Sequence, residues 1–214
     1  MGSWVGMAEL EADDPPQSPI VAVVDETTPF LGGGIGYAVV SGILLGDVGE
    51  VQATMPAVIP AGRRRPFHWH LEGVAAKAAA VAALVDLDVV ARAVVVPCGR
   101  RRQEAARAVA LAATVEQLVD DGCQQLVIEA RSPAQDGRDK ATIFDVVRPR
   151  KAALDVSWER KSNQLLWIAD AIGGAVHAHL TNGDGDDWFG QVVKATGLEL
   201  DYRTLPPVSA PKKR

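Results

Sequence analysis

Cysteine is scarce in this 214-residue chain: Cys98 and Cys123 are its only two, 25 positions apart and with no Cys-x-x-Cys spacing. That scarcity argues against a disulfide framework and against a cysteine-built zinc module, and it suits a reducing cytoplasm. An excess of positive charge is also missing. The formal net charge is −5, so the protein is not one that coats nucleic acid or an anionic membrane by bulk charge. Long unbroken apolar runs are absent too. The longest apolar region, residues 74–96, is interrupted by Lys77, Asp86, Asp88 and Arg92, which leaves nothing near the ~18–20 apolar residues that span a bilayer. The opening, MGSWVGMAELEADDPPQSP, has acids and prolines where a secretory signal needs a basic start and an apolar centre. Residues 1–19 therefore read as a flexible leader, and no membrane partner is expected.

What remains is an ordinary globular composition, 48% hydrophobic and 23% charged, enough for a single domain over residues 20–204. The last stretch, 205–214, is rich in proline and basic residues and reads as a disordered tail. The Val-rich run 20–25 predicts a buried strand. After it, Gly32-Gly33-Gly34-Ile35-Gly36 predicts a hairpin turn into an apolar strand over 37–45 rather than a phosphate loop, since a phosphate loop would open a helix. Residues 50–59 alternate around Val51, Ala53 and Met55 and predict a third strand. A helix is expected over 72–87, with Val74, Ala78, Val81, Ala82 and Val85 inward, and a buried parallel strand over 89–96. A second helix over 103–120 buries Ala106, Val109, Ala110, Ala113 and Leu118 and stops at Gly122, and the strand 124–130 follows. Residues 131–156 read as polar and irregular. A long helix is expected over 157–180, with Leu165, Ile168, Ala169, Ile172 and Val176 as its stripe, and a short one around 188–195. The result is an α/β fold whose mixed sheet combines an antiparallel three-strand meander with parallel strands, flanked by helices.

Three acids in this pattern stand where apolar sequence breaks. Asp25 closes the first strand, Glu129 closes the strand after the second helix, and Asp170 interrupts the last helix. A carboxylate in such a place resists desolvation unless it is paired or ligates a metal. For Asp25 the plainer alternative is a turn cap with Thr27 and Thr28; for Glu129 it is a pair with Arg131. Glu26, pointing to the opposite strand face, reads as a solvated neighbour. Asp170 shares a helix face with Leu166, Gly173, Gly174 and His177, so a path of little side-chain bulk lies beyond the acid, whether as a packing notch or as part of a site.

The element order is that of the ribonuclease H-like fold. Val23-Val24-Asp25-Glu26-Thr27 resembles the Asp-Glu-Ser opening of the domain of unknown function 3800 family, a bacterial and phage group assigned to this fold. Leu166-Trp167-Ile168-Ala169-Asp170-Ala171-Ile172-Gly173-Gly174 resembles its closing helix, and Phe67-His68-Trp69 a His-containing segment before its first helix. Thr27, Trp167 and Glu129 depart from the family's usual Ser, Gln and Asp. The resemblance covers roughly residues 20–180 and implies a nuclease or related phosphoryl-transfer activity.

On that reading Asp25, Glu129 and Asp170 are both the metal ligands and the catalytic residues, holding one or two Mg²⁺ or Mn²⁺ ions for in-line displacement at phosphorus. The blocks Arg63-Arg64-Arg65 and Arg100-Arg101-Arg102 would contact the phosphates of nucleic acid, DNA or RNA, unless they are solvated loops. His68 and His177 are candidates to line the site; His177 and His179 lie on different helix faces, which disfavours a four-histidine zinc centre. The competing functions are a non-catalytic relative binding nucleic acid or protein and, less favoured, a nucleotide-binding member of the wider fold lacking its second lobe.

Overall fold

The Val-rich run after the leader forms β1 (Val21–Thr27), and its alternate side chains sink into two different cores. The computed structural model from which the fold is read describes residues 19–31, 34–59, 65–181, 183 and 185–206. Residues 1–18 of the leader, Gly32 and Gly33, Arg63 and Arg64, and the tail beyond Pro206 lie outside the described residues. Val21 and Val23 enter one core and Ala22 and Val24 the other, as the strand period of two requires. The same alternation sends Asp25 and Thr27 to the first side and Glu26 to the second.

The other strands are β2 (Phe30–Leu31), β3 (Gly34–Leu44), β4 (Val89–Cys98), β5 (Gln125–Glu129), β6 (Asp155–Glu159) and β7 (Glu199–Tyr202). They form one mixed sheet in the order β6-β5-β1-β3-β4-β7, with β2 paired to β3. β1, β3 and β4 are antiparallel neighbours, while β5 and β6 run parallel to β1 and β7 parallel to β4. The helices are α1 (Val48–Thr54), α2 (Val74–Asp86), α3 (Gln103–Asp120), α4 (Pro133–Arg150), α5 (Leu165–Leu180) and α6 (Trp188–Thr196). Residues of α2, α5 and α6 fill the core on the Val23 side, and those of α3 and α4 the core on the Val24 side. The expected α/β class with antiparallel and parallel strands is what the chain forms.

Several elements differ from their sequence pattern. Residues 50–59 are not a strand: they form α1 and a 3-10 turn over Met55–Val58, capped by Asp47 accepting from the Gly49 N–H. The buried residues are Val51, Met55 and Val58, a spacing of four and three that is helical. The third member of the meander is therefore β4, which is antiparallel to β3 and parallel only to β7. α2 buries Ala76, Ala80, Val81, Ala83 and Leu84, while Val74 and Val85 are exposed; an alanine-rich helix has too even a hydrophobicity to mark its inner face.

The stretch read as irregular is instead α4 and β6. The inward stripe of α4 is Asp139, Ile143 and Val146, so a carboxylate occupies one of its core positions and hides the period. Residues 155–159 pair with β5, and the last helix begins only at Leu165. Within it, the predicted stripe Leu165, Ile168, Ala169, Ile172 and Val176 is buried. α5 lies close on the sheet. A Cβ on Gly42 of β3 would come within 2.9 Å of Ile168 Cγ2, so a larger residue there would force the packed side chains of α5 to shift.

Candidate functional site

Parallel pairing of β1 with β5 places their carboxyl ends side by side, Val24 opposite Ile128. One residue further on, Asp25 and Glu129 both follow positions that face the α3/α4 core, so both turn toward α5. Asp170 comes down from the first half of α5 to meet them. All three predicted acids converge, and they converge on an amine: Lys161 Nζ lies 2.7 Å from Asp25 Oδ2, 2.9 Å from Glu129 Oε2 and 2.9 Å from Asp170 Oδ1. Any two of these oxygens are thus less than about 6 Å apart. Neither plainer alternative describes the contacts: Asp25 does bond the adjacent Glu26 N–H, at 2.7 Å, but Thr27 bonds His177, and Glu129 meets Lys161.

Lys161 lies in the segment between β6 and α5, and its backbone is anchored. The Trp167 indole N–H donates to the Lys161 carbonyl at 2.8 Å, a role for the Trp that departs from the family-like motif. Burial alone would lower the lysine's pKa, but Asp25 and Asp170 outweigh it and hold the ammonium above its ordinary range. Glu129 is raised, first by burial and then by the neighbouring Asp25, with Lys161 opposing. One ammonium shared among three acids does not neutralise them all.

Asp170 has a second anchor. The Trp69 backbone N–H donates to Asp170 Oδ2 at 2.7 Å, and His68 Nδ1 lies 3.5 Å from Oδ1. Trp69 reaches this position because α5 carries Gly174 beneath it: a Cβ there would sit 2.0 Å from Trp69 Cγ. The glycine pair is both notch and site component, since the packing it permits is what delivers the Trp69 N–H to the acid.

Around the acids opens a cleft of about 280 Å³, lined among others by Thr27, His68, His70, Arg107, Arg131 and Gly173. His68 lines the cleft as expected, but His177 does not; it stands behind the wall, its Nδ1 hydrogen-bonded to Thr27 Oγ1 at 2.8 Å and its ring edge to face with that of His70, centroids 5.1 Å apart. Burial and then the His70 neighbour lower the His177 pKa. His179 points elsewhere and stacks on Phe189.

On the opposite face of β1, Glu26 is not a solvated neighbour. It meets the guanidinium of Arg107 from α3 and lies 3.6 Å from Arg131. Asp139 of α4 holds Arg107 in two bonds of 3.0 and 2.7 Å and also receives Arg131 at 3.1 Å. Arg107 further donates to the hydroxyl of Tyr37, whose pKa burial raises while Arg131 opposes.

Of the two arginine blocks, Arg65 is engaged by the Leu71 carbonyl and Glu72, at 2.8 and 3.2 Å. Arg63 and Arg64 fall outside the described residues. Arg100, Arg101 and Arg102 form a 3-10 turn leading into α3; the first two are exposed, and Arg102 donates to the Pro206 carbonyl. Thr27 pairs with Ala38, and Ala38 with Val95, so this turn after β4 sits at the same end of the sheet as the cleft.

Sequence reasoning missed Lys161, Arg107, Asp139 and the Trp69 amide. Arg107 had a signal, since it recurs with Leu111, Thr114 and Leu118 on the buried face of α3, where an arginine requires a partner. Lys161, in a polar loop, had none. The acids offer an all-oxygen donor set of the kind that suits a hard divalent cation. As they stand, spread around an ammonium, no group of three or more His, Cys, Asp or Glu among the described residues is disposed to hold a metal ion. Among those residues no helix is long and apolar enough to cross a membrane. No protein-family model matches this chain, and no curated protein matches it significantly.

Proposed function

We propose that the cleft is the active site of a divalent-metal-dependent nuclease, or related phosphoryl-transfer enzyme, of ribonuclease H-like fold. The observation that carries this reading is the convergence of Asp25, Glu129 and Asp170, from three separated elements, on one point at the end of the sheet. Three carboxylates with one lysine between them leave a local negative excess, which a structural ion pair does not need and a metal site does. Those three residues would hold Mg²⁺ or Mn²⁺, and the metal would supply Lewis acidity at a phosphoryl oxygen and a water of lowered pKa. The Trp69 amide keeps Asp170 oriented. Arg100, Arg101 and Arg102, at the same end of the sheet, would contact the phosphates of a nucleic-acid strand.

The test is cleavage of single-stranded and structured DNA and RNA by purified protein with Mg²⁺ or Mn²⁺. Cutting is expected to stop with chelator and to be lost in both Asp25→Asn and Asp170→Asn. Undiminished cutting in either variant would remove the site assignment. A second reading, a non-catalytic binding relative, is favoured by one observation: Lys161 already bridges all three acids. It predicts nucleic-acid binding that is indifferent to chelator and to Asp25→Asn.

A further inference from the structure

We infer that Lys161 is a built-in stand-in for the metal, a tethered cation that holds the three acids in place until a divalent ion takes them and the lysine side chain withdraws into the cleft. This rests on the reading of Asp25, Glu129 and Asp170 as ligands, and it concerns what occupies their common point. Close carboxylates repel one another when nothing lies between them, and the isolated set would disperse or take up protons. The ammonium prevents that. It touches one oxygen of each acid at 2.7–2.9 Å, whereas Mg²⁺ draws its ligands to about 2.0–2.1 Å. Two cations cannot share that position, so metal entry and the lysine's contacts exclude each other.

The anchoring of Lys161 fits such an exchange. Its carbonyl is held by Trp167, so the backbone stays while the side chain alone moves. Lys161 already lines the cleft, and an ammonium that leaves the acids enters the space that an anionic substrate would occupy. The lysine-in state lowers the apparent metal affinity by the fraction of molecules in which the lysine is out.

Two measurements decide this. Mn²⁺ titration followed by electron paramagnetic resonance compares the wild-type protein with Lys161→Met, using Asp25→Asn as the control that loses the site. The expected result is binding at least about tenfold tighter in Lys161→Met, the factor set by a lysine-out population of a tenth or less. Because that variant leaves three acids uncompensated and can fail to fold, the second measurement uses the wild-type protein. Reductive methylation read by peptide mass spectrometry should find Lys161 protected without metal and modified with saturating Mg²⁺, with Lys77, Lys140 and Lys151 unchanged as internal references. Equal Mn²⁺ affinity in the two proteins overturns the inference while leaving the metal site standing. So does tighter binding with Lys161 still protected, which is a charge effect without displacement. Absence of Mn²⁺ binding in both proteins overturns the proposed function itself, and the inference with it.

Discussion

Two ionic clusters flank the end of β1, one on each face of the sheet, and they differ in balance. On the α3/α4 face, Glu26, Asp139 and Glu104 meet Arg107, Arg131 and Arg138: three acids and three guanidiniums, with Arg107 and Asp139 almost wholly buried. On the α5 face, Asp25, Glu129 and Asp170 share the single ammonium of Lys161 and open into a cleft. The first cluster is balanced in charge and ties two helices to a strand, although its Arg107 and Arg131 also form part of the cleft wall. The second lacks positive charge and is reachable from outside. Adjacent residues of one strand, Glu26 and Asp25, therefore belong to a structural network and to a candidate site. Strand alternation is the whole cause of the division.

If the first cluster is structural, breaking it should cost stability and little else. Arg107→Met leaves Asp139 and Glu26 short of a partner and is expected to destabilise the fold by about 3–5 kcal/mol in urea denaturation, with Mn²⁺ affinity of the folded fraction changed less than in Asp25→Asn. The opposite pattern is expected across the strand. Asp25→Asn and Asp170→Asn should lower cleavage by roughly 10²–10³-fold or more, the scale of one lost transition-state contact, while urea midpoints hold or rise as the local negative excess falls. Gly174→Ala sharpens the comparison further. Its Cβ displaces Trp69, so it should cost about 1–3 kcal/mol as an overpacked core position and should also weaken metal binding, because Asp170 loses the Trp69 N–H.

Smaller effects grade the second cluster internally. Glu129→Gln is expected to reduce cleavage less than Asp25→Asn does under the same assay, since the Glu129 side chain is 33% exposed against 10% for Asp25. The smallest effect concerns His177, whose folded-state pKa lies below its ordinary 6.5 through burial and the His70 neighbour. The unfolded chain then binds the proton first, so stability should fall as pH drops through about 6.5 and level off below the folded-state pKa. In His177→Gln this part of the slope should vanish from stability measured between pH 7.5 and 5.

The legible parts of the fold were those with strong local pattern. β1, β3, α3 and β5 follow from Val-rich runs, from the apolar stripe through Ala106, Ala110 and Leu118, and from Gly122, whose positive φ ends the helix. α4 is illegible because Asp139 replaces an apolar residue in its stripe, and its guanidinium partners, Arg107, 32 residues away in sequence, and Arg131, make that position tolerable. The short helix at 48–54 reads as a strand in sequence because Val51, Ala53 and Met55 satisfy a period of two as well as the buried set Val51, Met55 and Val58 satisfies a helical one.

The candidate site divides in the same way. The sequence by itself determined which acids interrupt apolar elements, and that a carboxylate in such a place must find a partner, because desolvation is a property of the residue and its immediate neighbours. Tertiary structure alone decided that the partner of all three is Lys161, that an arginine pair awaits Glu26 on the opposite face, and that Trp69 fills the space above Gly174. Those outcomes depend on parallel register between β1 and β5 and on how closely α5 approaches the sheet, distances set by packing between segments more than a hundred residues apart, which no local pattern encodes.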